Sequence, residues 1–94
     1  MPVYKLCISN QKWSNMPHVI VKLWPGRTTE QKTDLSNKII EALKTAIDAT
    51  DSSISIAIEE IPKEKWKELV YDAEIIKKEE LLYKKPGYSL PEKI

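Results

Sequence analysis

The sequence predicts a single α+β domain built on one strand–helix–strand unit and followed by a short second helix. Three observations lead to this prediction: an alternating run, HVIVKLW, at residues 18–24; an apolar repeat of helical period over residues 29–48; and a second alternating run, SISIAIEEI, at residues 53–61. Ninety-four residues suffice for one domain. Because a long helix separates the two strands, we expect them to be parallel and joined by a right-handed crossover.

The first alternating run has one purely apolar face. Val19, Val21 and Leu23 fall on it, which is the period of a half-buried strand. The pair Pro25-Gly26 ends this strand. A further short strand is predicted upstream, over VYKLCI at residues 3–8.

The long helix has a recognisable start. Thr28 is a suitable N-cap, and Gln31 lies three residues later, as a capping box requires. The apolar stripe of the helix recurs every four residues, at Leu35, Ile39, Leu43 and Ile47. The polar run DATDSS then ends the helix.

The second strand and second helix complete the prediction. Ile54, Ile56 and Ile58 face one way, and Pro62 ends the strand. A helix is predicted over residues 72–84, and its apolar residues are Ile75, Ile76, Leu81 and Leu82. Because a two-stranded sheet with one helix cannot bury both of its faces, we read the isoleucine face as exposed and expect it to pair with a second copy in a homodimer.

Composition excludes several classes of protein. The 15 basic and 14 acidic residues leave a net charge of +1, which argues against nucleic acid or an anionic membrane as the main partner. No apolar run approaches the roughly 20 residues of a membrane span, and the first residues lack a secretory signal. The lone Cys7 fits a reducing cytoplasm. No cluster of histidine, cysteine and carboxylate residues has the spacing of metal ligands, so no metal is expected.

Several motifs, dispersed and in order, point to one family. The run MPHVIVKLWPGRTTEQKTDL, at residues 16–35, resembles the start of the 4-oxalocrotonate tautomerases, with Pro17 ten residues before Arg27. Further on, DSSISIAIEEI, Trp66, DAEI and KKPGYS resemble the small dimeric PptA-type branch. The resemblance implies a β-α-β tautomerase fold over residues 17–94, with the sheets of two chains combined in a dimer. It also implies cofactor-independent enol–keto tautomerisation of a small 2-oxo acid.

The resemblance makes Pro17 the catalytic base. An amino-terminal proline is a secondary amine, and an α-amino group titrates nearer neutrality than a lysine does. An apolar pocket and a nearby cation would favour its neutral form, so it could move a proton between oxygen and carbon near neutral pH. The alternative interpretation is that Pro17 simply begins a strand.

Three more positions carry over as substrate-binding residues. Arg27, the only arginine, would hold the substrate carboxylate with two parallel hydrogen bonds, although it could be a surface residue. Trp66 and Trp24 would line the pocket, although both could equally be packing residues. His18 is expected to be an outward-facing strand residue. The larger hexameric members carry a second arginine where this chain has Ser55, so a monoacid such as an arylpyruvate fits better than a diacid.

Residues 1–16 form an extension that conflicts with this chemistry, because the nitrogen of an internal proline is an amide without useful basicity. Three interpretations remain open. Translation could begin at Met16, whose removal would expose Pro17. The long chain could be a catalytically silent binding or structural module. Alternatively, Pro2 could supply the terminal amine, although its distance from Arg27 breaks the family spacing.

Overall fold

The computed structural model describes residues 15–90. The strand predicted at residues 3–8 lies outside that range, as does Cys7. The main elements, in chain order, are strand β1 (His18–Leu23), helix α1 (Thr29–Ile47), strand β2 (Ser55–Glu60) and helix α2 (Lys63–Trp66). A π-helical segment, Lys67–Ile76, follows α2 directly, and single 3₁₀ turns occur at Asp51–Ser53 and Glu79–Leu81. The fold is therefore of the predicted α+β class.

The two strands form a parallel two-stranded sheet. The N–H of Ser55 donates to the carbonyl of Pro17 at 3.2 Å, and the N–H of Ile61 donates to the carbonyl of Leu23 at 2.8 Å. From the first hydrogen bond to the second, the residue number rises on both strands, which defines parallel pairing. Both predicted strands are confirmed, each slightly shorter than the sequence indicated.

The described chain divides into two compact units. The first contains residues 15–21 and 26–59, and the second contains residues 22–25 and 60–90.

In the first unit, α1 begins and ends as its sequence predicts. The Thr28 hydroxyl accepts the N–H of Gln31 at 3.0 Å, and the Gln31 side chain accepts the N–H of Thr28 at 2.9 Å. This reciprocal pair satisfies two of the amide groups that a helix start leaves without partners. Asp48 caps the end of the helix: its φ of 61° is left-handed, and its N–H donates to the carbonyl of Leu43.

Alternation along the strands is confirmed, but the prediction that the isoleucine face is exposed is wrong. Ile54, Ile56 and Ile58 are half-buried, whereas Ser55 and Ala57 are exposed. The exposed side of the sheet is thus the more polar one.

In the second unit, the predicted helix at 72–84 is wrong in its bounds. Helical structure starts at Lys63, directly after Pro62, and ends at Ile76. The sequence interpretation used Pro62 only as the end of a strand, yet proline is equally suited to the start of a helix. The predicted apolar stripe fails at Leu81, which is 64% exposed. The residues that this helical stretch does bury are Val70 and Tyr71.

The π-helical segment has the five-residue spacing that defines this geometry. The N–H of Lys77 donates to the carbonyl of Asp72 at 3.2 Å, and Lys67 forms an ion pair with Asp72 at 2.9 Å. Lengthening the hydrogen-bond spacing from four residues to five changes which side chains share a face. A period of 3.6 residues therefore does not identify the buried residues here.

Few described residues are buried. They are Ala49, Ser53, Ile61, Val70 and Tyr71, and none of them belongs to α1. Among residues 15–90 no helix combines the length and apolar character needed to cross a membrane.

Candidate active site

Pro17 lies immediately before β1 and is half-buried. Its carbonyl belongs to the sheet ladder, and its nitrogen is acylated by Met16. Asn15 and Met16 both have left-handed backbones, with φ of 69° and 42°. A left-handed residue directly before proline is disfavoured by steric contact with the ring. The side-chain amide of Asn15 donates to the carbonyl of Ile47 at 2.5 Å, which ties this bend to the end of α1.

A hydrogen-bonded pair lies beside Pro17. Nδ1 of His18 is 2.6 Å from the hydroxyl oxygen of Ser55, and both residues are exposed. The outward placement predicted for His18 is confirmed, but its partner was not predicted from the sequence. Ser55 therefore presents a neutral hydroxyl at the position where the sequence comparison with hexameric members would place an arginine.

Arg27 lies in the turn between β1 and α1. Gly26, just before it, has a φ of 124°, a conformation that side-chain-bearing residues rarely adopt. Arg27 is exposed, and within residues 15–90 no hydrogen bond or ion pair engages its guanidinium. Because the helix that starts at Thr29 directs its N-terminal dipole toward this turn, the positive potential there suits an anion.

The second unit contains an apolar pocket with a volume of about 530 Å³. The residues that line this pocket, called the aromatic pocket below, are Lys22, Leu23, Trp24, Trp66, Tyr88 and Leu90. The rings of Trp24 and Trp66 meet edge to face, with centroids 6.4 Å apart and planes at 89°. That arrangement is the one aromatic quadrupoles favour.

Two lysines border the aromatic rings. The ammonium of Lys63 lies 4.9 Å from the centre of the Trp24 ring, which is cation–π distance. Lys22 forms an ion pair with Glu74. The pocket walls are therefore apolar, with positive charge close to one tryptophan.

Tyr88 is a pocket residue that the sequence interpretation missed. Its hydroxyl accepts a hydrogen bond from Nε1 of Trp66 at 3.3 Å, and its ring packs against Tyr71 with centroids 5.8 Å apart. In the sequence, Tyr88 stands out only as part of the family-like motif KKPGYS. A tyrosine after a Pro-Gly turn was the signal that could have suggested a role.

The structure brings two of the four predicted site residues together: Trp24 and Trp66, both in the second unit. Pro17 and Arg27 both belong to the first unit. Within residues 15–90 no group of three or more histidines, cysteines and acidic residues has a geometry that could hold a metal ion.

Comparisons with known proteins show the family of this chain. A family model described as "Tautomerase enzyme" matches residues 17–68, which is more than half of the chain. The chain therefore belongs to the tautomerase family, whose members are isomerases.

Two individual relatives are similar to this chain over most of its length. The chain is 43% identical over 76 residues to Tautomerase PptA of Enterobacter sp. (strain 638), covering 80% of this chain and 100% of the relative. Tautomerase PptA of Escherichia coli O157:H7 is 42% identical over the same length, with the same coverage. Among solved structures, YwhB, a homologue of 4-oxalocrotonate tautomerase, is 45% identical. It covers 50% of this chain and 77% of its own, with a TM-score of 0.49.

Proposed function

We propose that this protein interconverts the enol and keto forms of a 2-oxo monoacid, such as an arylpyruvate, with proline as the general base and without a metal or organic cofactor. The observation that carries the proposal is that the family match opens at Pro17 itself, ten residues before the only arginine. Arg27 has no partner among the described residues, so its guanidinium is available to a carboxylate.

The base must be a free amine. In the 94-residue chain the Pro17 nitrogen is an amide, whose lone pair is delocalised into the carbonyl of Met16. We therefore assign residues 1–16 as an extension and residues 17–94 as the catalytic domain, with an active form in which translation starts at Met16 and the methionine is removed. The Pro17 nitrogen then takes the enol hydroxyl proton, and the protonated amine delivers a proton to the neighbouring carbon as the carbonyl forms.

Arg27 and Ser55 together support a monoacid substrate. The planar guanidinium of Arg27 can donate two parallel hydrogen bonds to a single carboxylate. Ser55 is neutral and is already hydrogen-bonded to His18. A second substrate carboxylate would therefore find no cation at this position of β2.

Trp24 and Trp66 support a substrate with an aromatic tail. They form an edge-to-face pair in the aromatic pocket, whose volume of about 530 Å³ is in the range of small-molecule sites. A third ring could join this pair in the same kind of contact. The two tryptophans would then recognise the aromatic side chain of the substrate.

Low burial supports a homodimer as the working form. Only five described residues are buried, and α1 contributes none of them. Large apolar side chains that remain exposed include Ile20, Ile47, Leu69 and Ile76. A chain of this size gains much of its stability when such surface is covered by a partner. We also assign the protein to the cytoplasm, where its single cysteine would stay reduced.

A second candidate function follows from the extension. If the chain acts at its full length, the acylated Pro17 makes it a catalytically silent binding module. The bend at Asn15 and Met16 favours this candidate, because the Asn15 side chain anchors the residues before Pro17 to the end of α1. A terminal Pro2 acting as the base is the third possibility.

The deciding experiment compares two lengths of the protein at equal concentration. A form that begins Met16-Pro17 should lose its methionine and ketonise phenylenolpyruvate, followed as loss of enol absorbance. The 94-residue form should be slower by about 10²–10⁴-fold, the usual contribution of a general base.

Two substitutions serve as controls. Pro17→Ala in the short form retains a terminal amine but not a secondary one, and should reduce the rate. Pro2→Ala in the long form removes any contribution from a terminal Pro2. If the long form equals the short form, and Pro2→Ala leaves it so, proline is not the base. If neither length is active, the silent module is the correct interpretation.

A further inference from the structure

Tyr88 contacts two other aromatic residues of the second unit, Tyr71 and Trp66. On one side its ring packs on Tyr71 at 5.8 Å, and Tyr71 is itself buried, with 8% of its surface exposed. On the other side its hydroxyl accepts the indole N–H of Trp66 at 3.3 Å. Tyr88 thus links a fixed ring in the core of this unit to a wall of the aromatic pocket.

The hydrogen bond to Tyr88 constrains how Trp66 is oriented. An indole has a single hydrogen-bond donor, so satisfying it at Tyr88 selects one orientation of the ring. That orientation sets the 89° edge-to-face contact between Trp66 and Trp24. Aromatic contacts depend on the angle between rings, whereas an alkyl chain makes dispersion contacts of nearly any orientation.

We infer that Tyr88 is the positioning residue that gives the aromatic pocket its preference for an aromatic over an aliphatic acid. The class of ligand in this inference rests on the proposed function. The choice of Tyr88 rests on its contacts with Tyr71 and Trp66. Tyr88 acts through Trp66. Leu90, two residues later, lines the same pocket and adds apolar surface without a directional contact.

The test measures binding by the full chain, because binding in this pocket does not require a free amine. Dissociation constants for 3-phenylpropionate and for hexanoate are obtained by titration calorimetry. Tyr88→Phe keeps the ring and removes the hydroxyl. It should weaken phenylpropionate binding about 3–10-fold, the range of one net hydrogen bond, and hexanoate binding less than about twofold.

Two further variants separate positioning from general packing. Tyr83→Phe makes the same chemical change on a tyrosine whose side chain is fully exposed, and should leave both dissociation constants unchanged. In a Trp66→Phe background, Tyr88→Phe should have no additional effect on phenylpropionate, because the indole donor is gone. A purely structural role for Tyr88 would persist in that background.

The inference is overturned if Tyr88→Phe weakens both ligands equally, if its effect persists with Trp66→Phe, or if the unsubstituted chain does not bind phenylpropionate. These outcomes are independent of the proposed activity. Selective binding that depends on Tyr88, together with an inactive short form, would reject the proposed tautomerisation and leave the inference intact. An active short form, together with unchanged binding selectivity in Tyr88→Phe, would support the proposed tautomerisation and overturn the inference.

Discussion

The two units of this protein differ in what they offer a ligand. In the first, the candidate groups are polar and exposed: the Arg27 guanidinium, and the His18–Ser55 pair beside Pro17. In the second unit, the candidate groups are aromatic. This unit also includes the buried side chains of Ile61, Val70 and Tyr71. The proposed function assigns charge and proton transfer to the first unit and recognition of an apolar side chain to the second. Substitutions in the two units should change different measurements.

The largest effect expected from this comparison is on stability, in the second unit. Ile61 is 4% exposed, and Ile61→Ala should lower the free energy of unfolding by about 2–5 kcal/mol. The matched change Ile20→Ala, at a residue 52% exposed, should cost less. Urea unfolding at one fixed protein concentration measures both, since association would add to stability. Equal losses would mean that the exposed side of the sheet is covered in the working protein.

Arg27→Ala should give the next largest effect, on activity. Loss of a charge-assisted, two-bonded contact with the substrate carboxylate costs on the order of 2–3 kcal/mol, seen mainly as a higher KM in the short form. The loss should be the same for aromatic and aliphatic 2-oxo acids, because both carry the carboxylate. Arg27→Lys keeps the charge but not the planar fork, and should restore only part of the binding lost in Arg27→Ala. Unchanged kinetics in Arg27→Ala would remove this residue from the site.

Trp24→Leu should have a smaller and more selective effect. Replacing one ring of the edge-to-face pair should cost about 0.5–1.5 kcal/mol in kcat/KM for an arylpyruvate enol. For an aliphatic enol the change should be close to zero. The ratio of the two kcat/KM values in the short form measures this selectivity. A uniform loss across both substrates would show that Trp24 supports folding and does not recognise the side chain.

Thr28→Ala gives the smallest expected effect, again on stability. Loss of the N-cap hydroxyl leaves the N–H of Gln31 without its partner and should cost about 1 kcal/mol. Thr33→Ala, a similar change at an exposed position inside α1, is the control, and should be neutral or slightly stabilising because alanine favours helices. Thermal unfolding followed by circular dichroism compares the two. An equal response would mean that the capping box does not limit helix stability.

Much of the fold was predictable because its signals are local. The capping box at Thr28 and Gln31 is set by residues three apart, and the alternation in the two strands follows from the two-residue period of extended chain. The family, and with it the candidate roles of Pro17 and Arg27, was also readable from motifs in order along the chain. These features depend on spacing along the sequence and so did not require the rest of the molecule.

Other features were decided only by tertiary structure. The helical stretch from Lys63 to Ile76 was misplaced because its π-helical part does not follow the 3.6-residue period. The half-burial of the isoleucine face depends on which face of the sheet other parts of the fold cover, and the strand pattern is the same for either face. The contacts of Tyr88 with Trp66 and Tyr71 join residues 22 and 17 positions apart, and those of His18 with Ser55 join residues 37 apart. Spacing along a chain sets local hydrogen bonds and periodicity, but which distant side chains meet depends on the packing of whole elements.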